Sequence, residues 1–219
     1  PFIRQTAGPR TIIIPILNIY GTGARVQKEL PDCTVLDGCI YVSASLEHPG
    51  VLVQHGPILR VVFGPRDPSY ISPILSAIQS DLCESGIDGV LSTHIQRDAL
   101  EKFSYVSPIG AAGVYLHAVA GDFQKEGPAR ELFKSMIREI SALAAAMGYP
   151  FEKDYVKINL EILSNLSADA TTSMQRDIME GKPSELDGLV MEPLRLAKKY
   201  SVSMPCYEEV AKVLCPLEF

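Results

Sequence analysis

The residues whose types and spacing could do chemistry cluster at 173–188, Ser-Met-Gln-Arg-Asp-Ile-Met-Glu-Gly-Lys-Pro-Ser-Glu-Leu-Asp-Gly. This run reads as a helix stopped by Gly181, a Lys182-Pro183 hinge and a second helix starting at Ser184. Ser173 and Glu185 can then face a common cleft between helices, a hydroxyl and a carboxylate able to hydrogen-bond a polar ligand. Glu185 in a first helical turn also complements the helix dipole, Ser173 also suits a cap, and Asp177 and Asp187 fit helix ends. A second stretch, Tyr20-Gly21-Thr22-Gly23-Ala24-Arg25-Val26, follows an apolar run and opens a helix, with Asp37 downstream as a candidate ribose acceptor. The third glycine of a dinucleotide fingerprint is replaced by Val26, and the interval to Asp37 is too short for a helix plus a second strand. A strand-to-helix turn is therefore expected there. The five cysteines contain no C-x-x-C pair, and His48, His55, His94 and His117 are isolated, so no metal site is expected.

Positioning these groups requires two kinds of element. Up to about residue 92 the chain shows short β-rich runs at 11–19, 39–45, 51–55 and 60–64, separated by Pro and Gly turns, with helices over 22–30 and 71–83 and a further strand at 89–92. Pro15 removes a ladder donor from the first run. From Thr93 the pattern becomes helical, opening with Thr93 and Gln96 at capping-box spacing. A long helix follows Pro128, with Leu132, Phe133, Met136, Ile137, Ile140, Leu143, Ala144 and Met147 along one side and Gly148 as its stop. Further helices are expected over 155–166, 172–180, 184–200 and 207–214. The division is an α/β part at 1–92 followed by an all-α part at 93–219.

Composition narrows the function classes. The 219 residues are 47% hydrophobic and 21% charged, enough to bury a core. Lys and Arg number 20 against 26 Asp and Glu, so there is no global field to attract nucleic acid or anionic lipid. No apolar stretch approaches a membrane-spanning length, no secretory leader is visible at Pro1, and the scattered cysteines suit a reducing cytoplasm.

The run at 173–188 closely resembles the signature of the ketopantoate reductase (2-dehydropantoate 2-reductase) family. Leu17-Asn18 is similar to the family's strand-end Asn motif. Gly38-Cys-Ile-Tyr-Val-Ser-Ala44 with Pro49-Gly50 resembles its sheet segment, and Leu100-Glu-Lys102-Phe its catalytic-lysine helix. The resemblance implies the end of a Rossmann-like nucleotide domain followed by a 6-phosphogluconate-dehydrogenase-like helical domain. It also implies NADPH as cofactor and a 2-keto acid as substrate; separately, the apolar helical face between Leu132 and Met147 is a candidate homodimer interface, and a face buried within the domain would read the same. Carried over residue by residue, Lys102 is the general acid and Glu185 orients it and accepts a hydrogen bond from substrate. Ser173 bonds a substrate oxygen, and Asn18 positions the nicotinamide or the ketone.

Two departures accompany the resemblance. Four and eight residues after the lysine, where the family presents asparagines, this chain has Val106 and Gly110, which points to a more apolar 2-keto acid. The resemblance begins at Pro1 with the family's last nucleotide-domain strands. Its Gly-rich phosphate loop is not among these residues, which are therefore expected to bind NADPH weakly and turn over little substrate alone. Two other readings stay open: a non-catalytic helical dimerisation or ligand-binding module of the same fold, and an unrelated small α/β protein using Gly21 to Val26 as a nucleotide turn.

Overall fold

The structure is a computed structural model that describes residues 2–216. The chain forms two compact units, one ending at Ala99 and the other beginning at Leu100. In the first, helix α1 (Phe2–Thr6) precedes strand β1 (Ile12–Ile13), helix α2 (Thr22–Glu29), strand β2 (Thr34–Val35), a long hairpin of β3 (Asp37–His48) and β4 (Val51–Gly64), helix α3 (Pro73–Glu84) and strand β5 (Asp88–Leu91). β1 pairs parallel with β2, while β4 pairs antiparallel with β3 and parallel with β5.

The period-2 alternation of the strands explains their two faces. Leu36, Val61 and Phe63 pack with Leu75 of α3, joined by Ile40, Ile78, Leu82 and Leu91. Cys39 and Val62 point the other way, onto Ile95 with Tyr41 and Val90. The run at 11–19 is paired only at Ile12 and Ile13, because Pro15 has no N–H to continue the ladder. The runs at 51–55 and 60–64 form one strand rather than two. Between the pairs Ala44↔Gln54 and Val42↔Leu59, β4 advances five residues while β3 advances two, a bulge that absorbs Gly56 and Pro57.

In the second unit, helix α4 (Ile95–Leu116), which starts in the first, is followed by α5 (Ala120–Gln124), α6 (Pro128–Ala146), α7 (Tyr155–Ser164) and α8 (Ser173–Met179). A π-helical turn (Asp187–Met191) then runs into α9 (Glu192–Tyr200), and α10 (Pro205–Leu214) ends the described fold. α6 is the core helix: Phe133, Met136, Ile137, Ile140, Leu143 and Ala144 are all buried, as their spacing requires, with Leu132 and Met147 at the margin. Its buried Glu139 receives the backbone N–H of Cys206 (2.8 Å) and of Tyr207 (3.1 Å), capping α10 from a neighbouring helix. Among the described residues no helix is long and apolar enough to cross a membrane.

Candidate active site

Lys102 lies on α4 and is half-buried. Val106 and Gly110 follow at four-residue intervals, so the three occupy one stripe of the helix. At Gly110 that stripe meets other elements: a Cβ there would stand 3.1 Å from Met174 Cε and 3.9 Å from both Leu189 Cδ1 and Thr172 Oγ1. One turn on, a Cβ at Gly113 would stand 2.7 Å from Gln175 Cδ, so glycine here leaves room for the Gln175 side-chain amide of α8. Met174 fills the space beside position 110, so this part of the stripe is apolar and closed.

Ser173 is the exposed first residue of α8. The cap before it is Thr172, whose hydroxyl accepts from the Gln175 N–H (3.2 Å) while Gln175 Oε1 accepts from the Thr172 N–H (2.9 Å). A capping box thus forms here, at Thr172 and Gln175, rather than at Thr93 and Gln96 where the sequence spacing suggested one. At that earlier place α4 starts at Ile95 instead. Ser92 Oγ accepts from the His94 N–H (2.8 Å) and donates to Asp98 (2.5 Å), and Gln96 turns to Asp37. α8 ends as expected at Gly181, in the left-handed region at φ 65°. Lys182 N–H closes onto the Asp177 carbonyl at 2.8 Å.

Glu185 is half-buried and lies just before the π turn, where its carbonyl accepts from the Leu189 N–H at 2.9 Å. The single helix expected from Ser184 is thus a π turn continued by α9. Asp187 and Glu192 both pair with Arg195 across this junction, and these carboxylates, Asp187 foremost, hold the Arg195 guanidinium still more firmly protonated than usual. α4 is fastened to this segment by Ser107 Oγ, which donates to the Leu189 carbonyl at 2.6 Å. The elements that carry Lys102, Ser173 and Glu185 therefore pack on one another within the helical unit. Ser107 was not singled out by sequence reasoning. The available signals were Pro193, which breaks helical bonding inside the run at 184–200, and the spacing of Thr172 and Gln175.

Asn18 belongs to the first unit, in the connection beyond the carboxyl end of β1, and is half-buried next to the exposed Leu17. Asp37 is a structural hub rather than a ribose acceptor. It is 7% exposed, takes hydrogen bonds from Arg66 (3.3 Å) and Gln96, and Gln96 in turn accepts from Tyr20 Oη at 2.6 Å. Gly21 adopts the left-handed conformation that opens α2, and Gly23 lies against Leu36 and Asp37, so the turn serves strand-to-helix packing.

The profile of the family described as Ketopantoate reductase PanE/ApbA C terminal matches residues 94–218, and that of Ketopantoate reductase PanE/ApbA matches residues 1–68. The chain belongs to the ketopantoate reductase family. A relative, the 2-dehydropantoate 2-reductase of Aquifex aeolicus, is 24% identical over 216 residues, covering 97% of this chain and 69% of that protein. Among solved structures, 2-dehydropantoate 2-reductase from Methylococcus capsulatus superposes with a TM-score of 0.87 at 24% identity, over 99% of this chain and 68% of that one. D-mandelate dehydrogenase in complex with NADH gives 0.79 at 18% identity, over 95% and 70%. The dimeric ketopantoate reductase of Staphylococcus aureus gives 0.78 at 20% identity, over 93% and 67%. Ketopantoate reductases are oxidoreductases, and the fold of this chain is theirs.

Proposed function

We propose that the protein is an NADPH-dependent 2-keto acid reductase of the 2-dehydropantoate 2-reductase type, with residues 1–92 on the nucleotide side and 93–219 forming the substrate domain. The observation that carries this reading is the family match across 94–218, the helical segment that holds Lys102, Ser173 and Glu185. It is supported by the packing of α4 against α8 and the π turn at Gly110, Gly113 and Ser107.

Reduction of a keto group leaves negative charge on its oxygen. The Lys102 ammonium stabilises that charge and delivers the proton, while the Glu185 carboxylate orients the ammonium and accepts a hydrogen bond from a substrate hydroxyl. Ser173 donates to a substrate oxygen. Asn18 suits the nicotinamide: a ligand of a parallel α/β sheet lies outside the carboxyl ends of the strands, and Asn18 follows β1 at that end with the exposed Leu17 beside it. When bound, NADPH supplies the hydride. Within that class, the apolar stripe of Val106 and Gly110, with Met174 beside it, favours a 2-keto acid with a side chain more apolar than that of 2-dehydropantoate. A reducing cytoplasm suits this redox chemistry and the protein's thiols.

The test is the fall in absorbance of NADPH, and of NADH in parallel, with 2-dehydropantoate and a series of apolar 2-keto acids. With a chain that includes the family's Gly-rich phosphate loop, the expected result is turnover with preference for NADPH, whereas these 219 residues alone should turn over little. Lys102→Ala should lower kcat by about 10² to 10⁴ while circular dichroism and melting stay unchanged. Retained turnover in that variant removes Lys102 from the mechanism. Glu185→Ala should chiefly raise KM, and unaltered KM and kcat would show that its family role is not carried by this residue.

A further inference from the structure

The helical run from Leu186 to Tyr200 carries a proline in its interior. Pro193 has no N–H and stands four residues after Leu189, so the Leu189 carbonyl has no α-helical donor. The backbone widens here, and the Glu192 N–H reaches the Asp187 carbonyl five residues back. The donor to Leu189 comes from another helix. Ser107 Oγ of α4 donates to the Leu189 carbonyl at 2.6 Å and lies 2.5 Å from Tyr207 Oη of α10. A serine has one hydroxyl proton, and it is committed to Leu189, so the tyrosine donates to the serine. Ser107 and Tyr207 are fully buried, and burial pushes the Tyr207 phenol far up, keeping its proton in place. The Tyr207 backbone N–H is itself held by Glu139. At its other end Leu189 donates its N–H to the Glu185 carbonyl at 2.9 Å.

We infer that Ser107, backed by Tyr207, is a positioning residue: it fixes the register of the π turn and thereby sets Glu185 relative to the helix that carries Lys102. This rests on the reading of Glu185 as a substrate-binding carboxylate. Ser107 is five residues after Lys102 on α4, so a single side chain ties the proposed acid's helix to the segment that presents the proposed acceptor. A π turn beside a functional residue is a recurrent arrangement, and here its cause is one proline and its support is one hydroxyl.

The experiment compares Ser107→Ala, Ser107→Thr and Glu185→Gln, reading KM and kcat for 2-dehydropantoate with NADPH and hydrogen exchange across the helices. Ser107→Ala should raise KM about tenfold with kcat within about twofold, the scale of one lost hydrogen bond acting through geometry. Amide exchange should accelerate at residues 189–194 while α6 is unaffected, and Ser107→Thr, which keeps the hydroxyl, should restore both. If Glu185→Gln raises KM and Ser107→Ala does not, the inference fails and the role of Glu185 stands. If neither variant moves KM, that role fails and the inference with it. Faster exchange in every helix alike would make Ser107 a packing residue only and would also overturn the inference.

Discussion

Tyr105 stands three residues after Lys102 on α4, with its ring edge-on to Phe133 at 6.0 Å between centroids. Its hydroxyl is buried and meets no hydrogen-bond partner among the described residues, and burial pushes the phenol up to about 12 from an ordinary value of 10.0. Across that window the folded state keeps a proton that the unfolded chain gives up, so stability falls as the pH rises through it. Tyr105→Phe keeps the ring and removes the stranded hydroxyl. It should stabilise the fold by about 1 kcal/mol in urea denaturation and flatten the decline above pH 10. Loss of stability in that variant would contradict the account of this side chain.

The signature at 173–188 pointed to Ser173 and Glu185, and the lysine motif to Lys102, because these matches are local strings; the roles of all three remain proposals. Asp37 could not be read the same way: its partners Arg66 and Gln96 are 29 and 59 residues away, and only the fold brings them to it. Ser107 was hidden for the same reason, since Leu189 and Tyr207 are 82 and 100 residues distant.

At the scale of elements, the stops were more legible than the irregularities. Gly148 and Gly181 both end helices with positive φ, as their places after periodic apolar runs required. Gly181→Ala forces a Cβ into the left-handed region and should cost about 1 kcal/mol in denaturation, with fraying confined to α8 by hydrogen exchange. Unchanged stability would mean that α8 is held by its Thr172 cap and its packing rather than by its end. The π turn escaped because its residues are simply apolar: Gly188 to Met191 are buried in succession, as in any core segment, and only Pro193 marks the break. The bulge in β4 escaped for the opposite reason. Gly56 and Pro57 look like a turn between strands, yet the strand resumes its pairing beyond them.

For the whole molecule, the last strand ends at Leu91 and helices follow from Ile95, where the β-branched runs of the sequence stop, while the boundary between the two compact units falls after Ala99. How the short strands pair was less readable, since β1 and β2 have two residues each and register at that length is set by neighbours. A homodimer is the candidate assembly expected from the sequence, and light scattering should then give twice the mass of one chain. A monomer at the concentration of the activity assay would remove assembly from the account.

The central claim is that Lys102 and Glu185 act on one bound keto acid. A double-mutant cycle on kcat/KM with Lys102→Ala, Glu185→Ala and the pair measures it most directly. The predicted result is strong non-additivity, the second substitution costing little once the first is made, with a coupling on the order of 1 to 3 kcal/mol. Effects that add to within about 0.5 kcal/mol would show that the two residues do not converge on the same group.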